Sequence, residues 1–406
     1  MELASIDDVS LKGKRVFMRV DFNVPMEAGK ITDDFRIAAA LPSIKKVLAA
    51  GGRLVLASHL GRPAETGYEA EFSLKAACDR LSQLLERPVK WIPDCVGDEA
   101  EKAVASLGDG EVALLENLRF YPGEGVNDEA FAQKLARLGE VYVNDAFGTS
   151  HRDAASMTGV PRVLGGGVAG YLVKKEVDVI HKALTAPGRP FVAVLGGAKV
   201  SDKIFVIKNL MMLVDEILVG GAMAYTFMKA AGLPVGSSKF ETTVTDKKGA
   251  EKAVMKMAQE ILDLAKAKGK RIVLPVDHVV TQKIEAGAPT KVVDVIEDGW
   301  MGVDIGPKTR ALYASKLAAA KTAFWNGPMG IFEMKGFDEG TQAIAQAFAD
   351  ATGHGATTIV GGGDSAAAIR QMGFDDKVTH VSTGGGASLE MFEGKFLPGI
   401  AALDLK

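Results

Sequence analysis

Short apolar runs alternate with segments of helical spacing along nearly the whole chain, and this alternation constrains the fold most. Near the middle, the run Phe191–Leu195 is followed by Gly196-Gly197-Ala198-Lys199 and then by a helix-like segment. A short run rich in valine is typical of a strand that is buried on both faces. Because strands that alternate with helices form parallel sheets, the chain is predicted to be an α/β protein.

The length predicts more than one domain. A chain of 406 residues with 47% hydrophobic content is too long for one ordinary core. A helical pattern from Val168 to Leu184 ends in Ala-Pro-Gly at 186–188 and is the candidate linker. We therefore expect two Rossmann-like domains, each a parallel sheet flanked by helices, joined by a linker helix and a hinge. In the first domain, Pro42 is placed at the start of a helix, where proline is favoured.

Polar residues follow the predicted strands of the first half. They are Asp21, Asn23, His59, Arg62, Arg119 and Arg152, and Arg36 lies on a nearby connection. Because ligands of parallel sheets bind beyond the carboxyl ends of the strands, these side chains are expected on one rim. A single arginine is commonly a solvated surface charge, whereas four arginines and a histidine together favour an anionic partner. The guanidinium fork matches phosphate and carboxylate, which predicts a small, strongly anionic ligand.

Glycine-rich turns follow predicted strands of the second half. They lie at 196–197, 220–221, 327–330, 361–363 and 384–386. One such turn commonly serves only to reverse the chain, but several on one edge predict a backbone-lined crevice for a flat base and a polyphosphate. Lys199 and Lys203 are expected to supply positive charge to the phosphates. Asp364, at the start of a helix, is either a ligand of Mg²⁺ or a helix N-cap.

Motifs for most covalent mechanisms are absent from the sequence. It has no G-x-S-x-G elbow, no H-E-x-x-H, no paired-cysteine zinc site and no G-x-x-x-x-G-K-[ST]. An anion rim in one domain and a nucleotide crevice in the other indicate direct phosphoryl transfer, which needs positioning and charge rather than a nucleophile. The two domains are then expected to close on each other by hinge bending, which also expels water.

Charge and cysteine content limit the partners and the location. The 48 basic and 51 acidic residues give a net charge of −3, so no nucleic-acid partner is expected. No stretch approaches the ~20 apolar residues of a membrane span, and the N-terminus has acids where a signal peptide needs an apolar run. Cys78 and Cys95 are expected to be reduced thiols. A cytoplasmic protein without a membrane partner is predicted.

Long motifs carry a resemblance to a known family. They are RVDFNVP at 19–25, SHLGRP at 58–63, LLENLRF at 114–120, NDAFGTSHR at 144–152, LGGAKVSDK at 195–203, LPVD at 274–277, WNGPMGIFE at 325–333, GGGDS at 361–365 and STGGGASLE at 382–390. On these motifs, in this order, the chain resembles the phosphoglycerate kinase family over essentially its full length. The resemblance implies that the chain interconverts 1,3-bisphosphoglycerate plus ADP with 3-phosphoglycerate plus ATP, using Mg²⁺, in glycolysis and gluconeogenesis.

The resemblance also implies roles for residues of the first half. Asp21 and Asn23 correspond to partners of the glycerate hydroxyl and carboxylate region. The basic patch corresponds to Arg36, His59, Arg62, Arg119 and Arg152. Within it, Arg36 is expected nearest to the transferred group.

For the second half, the resemblance implies a nucleotide site. Lys199 stabilises the phosphoryl group during transfer, with Arg36 and Gly363 as the other catalytic positions, and Lys203 holds nucleotide phosphates. Asp364 holds Mg²⁺. The remaining positions surround the nucleotide: Gly362, Gly363, Ser365 and Asn326 at the phosphates, Glu333 at the ribose, and Gly220, Gly221 and Pro328 at the adenine.

The implied domain organisation follows from the same resemblance. Residues 1–168 form a phosphoglycerate-binding domain, 169–186 an interdomain helix, 187–388 a nucleotide-binding domain, and 389–406 a tail that returns to the first domain. A monomer is implied.

Two other functions fit parts of the pattern. Another small-carboxylate kinase with an open α/β fold gives no reason for arginines in a separate domain. A two-lobed solute-binding protein also closes around anions, but it needs export, which the N-terminus does not offer. Rapid ATP formation from ADP, Mg²⁺ and 1,3-bisphosphoglycerate distinguishes the favoured function from both.

Overall fold

The computed structural model describes residues 2–245 and 251–406. The chain divides into two compact units: residues up to Asp178 together with Phe396–Lys406, and Val179–Lys395. Among the described residues, no helix combines the length and apolarity needed to cross a membrane. Each unit is built around a parallel sheet flanked by helices, so the predicted α/β class is confirmed.

The first unit contains a six-stranded parallel sheet in the order β5-β6-β4-β1-β7-β8. Its strands, with a short hairpin formed by β2 and β3, are β1 Arg15–Val20, β2 Met26–Glu27, β3 Lys30–Ile31, β4 Arg53–Ala57, β5 Lys90–Ile92, β6 Val112–Leu115, β7 Val141–Asp145 and β8 Val168–Ala169. Its helices are α1 Phe35–Ala49, α2 Lys75–Leu85, α3 Asp98–Ala105, α4 Pro122–Gly125, α5 Glu129–Ala136 and α6 Val160–Leu164. Helix α7 Tyr171–Thr185 begins in this unit and ends in the second.

The second unit contains a six-stranded parallel sheet in the order β13-β10-β9-β17-β18-β19, together with a three-stranded antiparallel sheet β15-β14-β16. Its strands are β9 Phe191–Leu195, β10 Glu216–Val219, β11 Thr243–Thr245, β12 Glu251–Ala253, β13 Arg271–Val273, β14 His278–Thr281, β15 Thr290–Val293, β16 Met301–Ile305, β17 Thr322–Asn326, β18 Thr357–Val360 and β19 His380–Val381. Its helices are α8 Ile204–Leu213, α9 Gly221–Ala230, α10 Val254–Ala267, α11 Pro307–Ala319, α12 Glu339–Gly353, α13 Gly363–Gln371 and α14 Gly385–Phe392. The last helix, α15 Pro398–Ala401, belongs to the first unit.

The central strands of both sheets are buried on both faces, as their continuous apolar runs require. In the second unit, all five side chains of β9 and of β17 are buried. Trp325 packs against Phe348 with ring centroids 5.6 Å apart, and its Nε1 donates to Gly327 O at 2.8 Å. The apolar core of this unit therefore holds the turn that follows β17.

One local feature differs from the sequence predictions. The first helix begins at Phe35, so Pro42 lies inside it rather than at its start. Phe396–Lys406 belongs to the first compact unit, while Asn209 Nδ2 donates to Phe392 O at 2.5 Å within the second. From the tail, Asp404 N donates to Gly167 O at 2.8 Å and Leu3 pairs with Leu405. The predicted functional boundaries at 168, 186 and 388 stay predictions.

Candidate active site

The carboxyl ends of the first unit's strands bring the predicted basic residues to one edge. Three of these residues, Arg62, Arg119 and Arg152, line a pocket of about 490 Å³. The pocket is also lined by Arg19 and Glu124. Since parallel pairing aligns the ends of β1, β4, β6 and β7, the loops after these strands meet at this edge.

Asp21 and Asn23 hold neighbouring parts of the same edge in position. Arg36 Nη1 donates to Asp21 Oδ2 at 3.1 Å and to Asn23 O at 3.2 Å. Asn23 Oδ1 accepts from Gly61 N at 2.9 Å, which fixes the turn before Arg62. Both side chains therefore position arginines of the cluster in this structure.

Four arginines and three acidic residues, Glu65, Glu124 and Asp153, line the pocket, so the positive charges exceed the negative ones by one. Its nearest ion pairs are Arg36 with Asp21 at 3.1 Å and Arg19 with Glu124 at 4.0 Å. Within residues 2–245 and 251–406, Arg62, Arg119 and Arg152 form no ion pair. Burial, followed by the charges of Arg152 and Arg19, lowers the pKa of Arg119 to about 10. Because clustered guanidinium groups repel each other, this pocket favours an anion.

The surroundings of His59 disfavour the charged form of its imidazole. Its side chain is buried, and burial is the largest cause that lowers its pKa well below 6.5. The charges of Arg19, Arg119, Arg36 and Arg152 lower this pKa further. A neutral imidazole keeps one N–H donor, which suits the recognition of an anion.

Arg19 is a member of the cluster that the sequence analysis missed. It lies in β1, is 1% exposed and donates from Nε to Ser156 Oγ at 2.8 Å. Its sequence signal is a basic residue inside an apolar run, since Arg19 stands between apolar residues in RVFMRV, which begins at Arg15. Such a position is unusual because a buried guanidinium needs partners.

In the second unit, the turns after β9, β10 and β17 pack directly on one another. Gly196 N donates to Asn326 O, Gly197 N to Pro328 O and Gly221 N to Met329 O, each at 2.9 Å. A Cβ atom on Gly196 would lie 2.1 Å from Pro328 O. Glycine is required here because the backbones touch.

The side chains of Asn326 and Ser365 link these turns by hydrogen bonds. Asn326 is buried, donates from Nδ2 to Gly361 O at 2.7 Å and accepts from Lys203 Nζ through Oδ1. Ser365 Oγ accepts from Gly327 N at 2.6 Å. Both side chains therefore hold the crevice together, and their predicted phosphate contacts stay predictions.

Three helices of this unit begin at the same sheet edge. Helices α9, α13 and α14 follow Gly220, Gly362 and Gly384, and none of these N-caps provides a side-chain hydrogen bond. A Cβ atom on Gly385 would lie 3.1 Å from Gly363 N, so the starts of α13 and α14 are adjacent. At the start of α9, Gly221 N already donates to Met329 O, so the open amides of this edge belong to α13 and α14. Open backbone amides and the positive ends of helix dipoles are typical of a phosphate-binding edge.

The charged residues predicted for the nucleotide differ in exposure. Lys199, Glu333 and Asp364 are exposed, whereas Lys203 is half-buried. Burial lowers the pKa of Lys203, while the charges of Asp364 and Asp202 raise it. Asp364 is thus close enough to Lys203 to influence it electrostatically, beside the open start of α13.

The structure thus gathers the predicted residues into two sets, one in each unit. The first contains Asp21, Asn23, Arg36, His59, Arg62, Arg119 and Arg152. The second contains Lys203, Gly220, Gly221, Asn326, Pro328, Gly362, Gly363, Asp364 and Ser365, with Lys199 and Glu333 on loops that follow β9 and β17.

Comparisons with known proteins agree along the whole chain. The family model described as phosphoglycerate kinase matches residues 6–395. The phosphoglycerate kinase of Chloroherpeton thalassium is 55% identical over 405 residues, which cover 99% of each chain. That of Thermosipho africanus is 53% identical over 406 residues, which cover 99% of this chain and 98% of the relative.

Solved structures show the same fold. The phosphoglycerate kinase of Coxiella burnetii matches with a TM-score of 0.86 at 40% identity, covering 98% of each chain. That of Pyrococcus horikoshii matches with a TM-score of 0.84 at 34% identity, covering 99% of this chain and 98% of the other. The chain therefore belongs to the phosphoglycerate kinase family and is a transferase that moves a phosphoryl group reversibly between ATP and 3-phosphoglycerate.

Proposed function

We propose that the arginine pocket of the first unit binds 3-phosphoglycerate or 1,3-bisphosphoglycerate. The observation that carries this assignment is the set of three arginines, Arg62, Arg119 and Arg152, that line one pocket without carboxylate partners among the described residues. A ligand with a phosphate and a carboxylate offers two anionic groups to these guanidinium forks. His59 adds an uncharged N–H hydrogen-bond donor.

Arg36, Asp21 and Asn23 act at the reactive end of this substrate. Arg36 is held by Asp21 Oδ2, and its side chain is 33% exposed, so part of the guanidinium stays open to a ligand. We assign Arg36 to the charge that develops on the transferred group. Asp21 and Asn23 contact the glycerate hydroxyl and carboxylate region while they orient Arg36.

The turns of the second unit bind ATP or ADP. The glycine turns at Gly220, Gly221 and Pro328 form the adenine wall, because bare backbone permits a flat ring to approach closely. Glu333 contacts the ribose. The phosphates lie at the open helix starts, with Lys203, Asn326, Gly362, Gly363 and Ser365 around them.

Asp364 is proposed to hold Mg²⁺. The chemistry of this donor fits the ion: the carboxylate is exposed, lies at the start of α13 and forms no ion pair among the described residues. No group of three or more His, Cys, Asp or Glu side chains there forms a protein cage for a metal. Mg²⁺ commonly uses one or two carboxylates together with substrate phosphates and water. When bound, it supplies charge neutralisation at the phosphates.

Transfer needs no covalent intermediate with the protein. Lys199 is exposed on the turn after β9, and we propose that it follows the phosphoryl group during transfer with Arg36 and the amide of Gly363. Since reacting atoms must come within ~3–3.5 Å, the two ligands meet by closure about a hinge during the reaction. We also propose that the protein acts as a cytoplasmic monomer, with Cys78 and Cys95 as free thiols.

Steady-state kinetics of Arg119→Ala test the substrate pocket. Loss of a charge-assisted contact is expected to raise the KM for 3-phosphoglycerate by about 10-fold to 100-fold, while the KM for ATP changes less than about twofold. Arg137→Ala is the matched control, because it removes an exposed arginine that pairs with Glu101 at 3.4 Å. An unchanged KM for 3-phosphoglycerate in Arg119→Ala would contradict the assignment.

A further inference from the structure

A buried chain of hydrogen bonds lies beneath the arginine pocket. Arg19 Nε donates to Ser156 Oγ at 2.8 Å, and Ser156 Oγ lies 2.6 Å from Glu124 Oε1. Ser156 N donates to Glu124 Oε2 at 3.0 Å. Arg19, Glu124 and Ser156 are each at most 3% exposed. Both carboxylate oxygens of Glu124 therefore accept a hydrogen bond from Ser156.

The direction of these hydrogen bonds is fixed by chemistry. An arginine side chain has donors and no acceptor, so Ser156 Oγ must accept from Arg19 Nε. The hydroxyl hydrogen of Ser156 is then free for one further bond, and it points to Glu124 Oε1. The carboxylate thus orients the serine, and the serine orients the guanidinium.

The other side of the guanidinium reaches His59. Arg19 Nη2 lies 3.1 Å from His59 Nδ1, and because Arg19 only donates, Nδ1 must be the acceptor. A neutral imidazole that accepts at Nδ1 carries its hydrogen at Nε2. The charged groups that act on this ring, Arg19, Arg36, Arg119 and Arg152, are all cations and disfavour a second ring proton.

We propose that Glu124 and Ser156 are positioning residues that act through Arg19 to hold His59 as an Nε2–H donor for the anionic substrate. This inference rests on the proposed role of His59 in binding 3-phosphoglycerate. The relay explains why a glutamate and a serine are buried next to a pocket for anions. The glutamate compensates the buried guanidinium, and the serine sets the angle at which that guanidinium meets the imidazole.

Nitrogen NMR of protein labelled with ¹⁵N-histidine tests the relay in the wild-type protein. The chain has six histidines, so His59→Gln assigns the resonances of His59 by their disappearance. We expect His59 to stay neutral, with a protonated Nε2 and an unprotonated Nδ1 in a single tautomer. A hydrogen on Nδ1, or an imidazolium near neutral pH, would overturn the proposal.

Ser156→Ala tests the coupling between the relay and the substrate. We expect the His59 Nδ1 resonance to move towards the position of an exchanging tautomer mixture. The KM for 3-phosphoglycerate is expected to rise about tenfold, with the KM for ATP unchanged. Ser43→Ala is the matched control: Ser43 is also fully buried and accepts from Tyr171 N at 2.8 Å, but it has no link to His59.

The outcomes separate the relay from the proposed function. A folded Ser156→Ala with wild-type His59 resonances and a wild-type KM for 3-phosphoglycerate would overturn the relay. His59→Gln with an unchanged KM for 3-phosphoglycerate would instead contradict the role of His59 in the proposed function. If Ser156→Ala fails to fold, the tautomer of the wild-type protein still decides the proposal.

Discussion

Lys199 is the residue whose proposed role is most specific to transfer. It is exposed on the glycine turn after β9, whereas Lys203 is half-buried and donates to Asn326 Oδ1. The two lysines are four positions apart but differ in the exposure of their side chains. The exposed ammonium group is suited to a charge that moves during the reaction, and the one bound to Asn326 to a charge that stays on the nucleotide.

Lys199→Ala is therefore expected to lower kcat by about 100-fold to 1,000-fold while the Kd for ATP stays within about threefold. Steady-state kinetics together with calorimetric titration of ATP measure both quantities. Lys208→Ala, which removes an exposed lysine from α8, serves as the control. Equal losses of affinity and turnover in Lys199→Ala would mean that this lysine binds the ground state.

The sequence indicated where basic side chains gather when they follow strand ends, while their roles stay predictions. Arg62, Arg119 and Arg152 follow or lie near strand ends, and the structure brings them to one pocket. Arg19 was missed because it lies inside a strand, where an apolar pattern predicts packing only. The relay through Ser156 and Glu124 joins residues up to 137 positions apart, so no local sequence pattern predicts it.

At the scale of elements, the first turns of two helices donate backbone hydrogen bonds to buried carboxylates. In the first unit, Asp145 Oδ1 accepts from Leu172 N in the first turn of α7 at 3.0 Å. In the second unit, Asp304 Oδ2 accepts from Gly340 N in the first turn of α12 at 2.6 Å. Burial raises the pKa of each carboxyl to about 7, although the helix amides oppose this shift.

These raised pKa values predict a pH trend in stability. Because each folded carboxyl binds its proton more tightly than the unfolded one, it stabilises the fold fully below the unfolded pKa and loses this contribution as pH rises through about 7. Asp145→Asn and Asp304→Asn each remove the contribution of one carboxyl to this pH dependence, because asparagine does not titrate. We expect the Tm of each variant to rise relative to wild type between about pH 5 and pH 8. A difference in Tm that stays constant over this range would contradict the raised pKa values.

The glycine turn before α9 gives a second test at this scale. Gly221 has φ +65° and a Cβ atom there would lie 2.5 Å from Gly197 N. Gly232 has φ +78° with no atom within 4 Å of such a Cβ, so it is a matched control for backbone strain alone. Gly232→Ala is expected to cost ~1 kcal/mol of stability. Gly221→Ala is expected to cost more, and to weaken ATP binding about tenfold or more by calorimetry. Equal effects would show that close approach of these turns is unimportant.

Element types were largely predictable, whereas some boundaries were not. Valine-rich runs such as Phe191–Leu195 became central strands because both faces are covered. Pro42 was placed at a helix start by its propensity, yet α1 continues around it because its buried side packs on the sheet. The antiparallel sheet β14–β16 has partly exposed strands such as Thr290–Val293, and its pairing depends on contacts that the sequence does not display.

At the scale of the whole molecule, the two units carry complementary kinds of anion site. In the proposed function, the first presents guanidinium groups to a ligand, and the second presents backbone amides at the starts of α13 and α14. Guanidinium forks suit a compact ligand with several anionic groups, while amides suit a chain of phosphates and a flat base. Direct transfer of the phosphoryl group between these ligands requires that the binding of both ligands drives closure of the two units.

Small-angle X-ray scattering with ligands tests this account most directly. We expect the radius of gyration to fall when 3-phosphoglycerate and a non-hydrolysable ATP analogue with Mg²⁺ are both bound, and to change little with either alone. Calorimetry under the same conditions establishes that both ligands are bound. An unchanged radius of gyration in that doubly bound state would contradict transfer by closure of the two units.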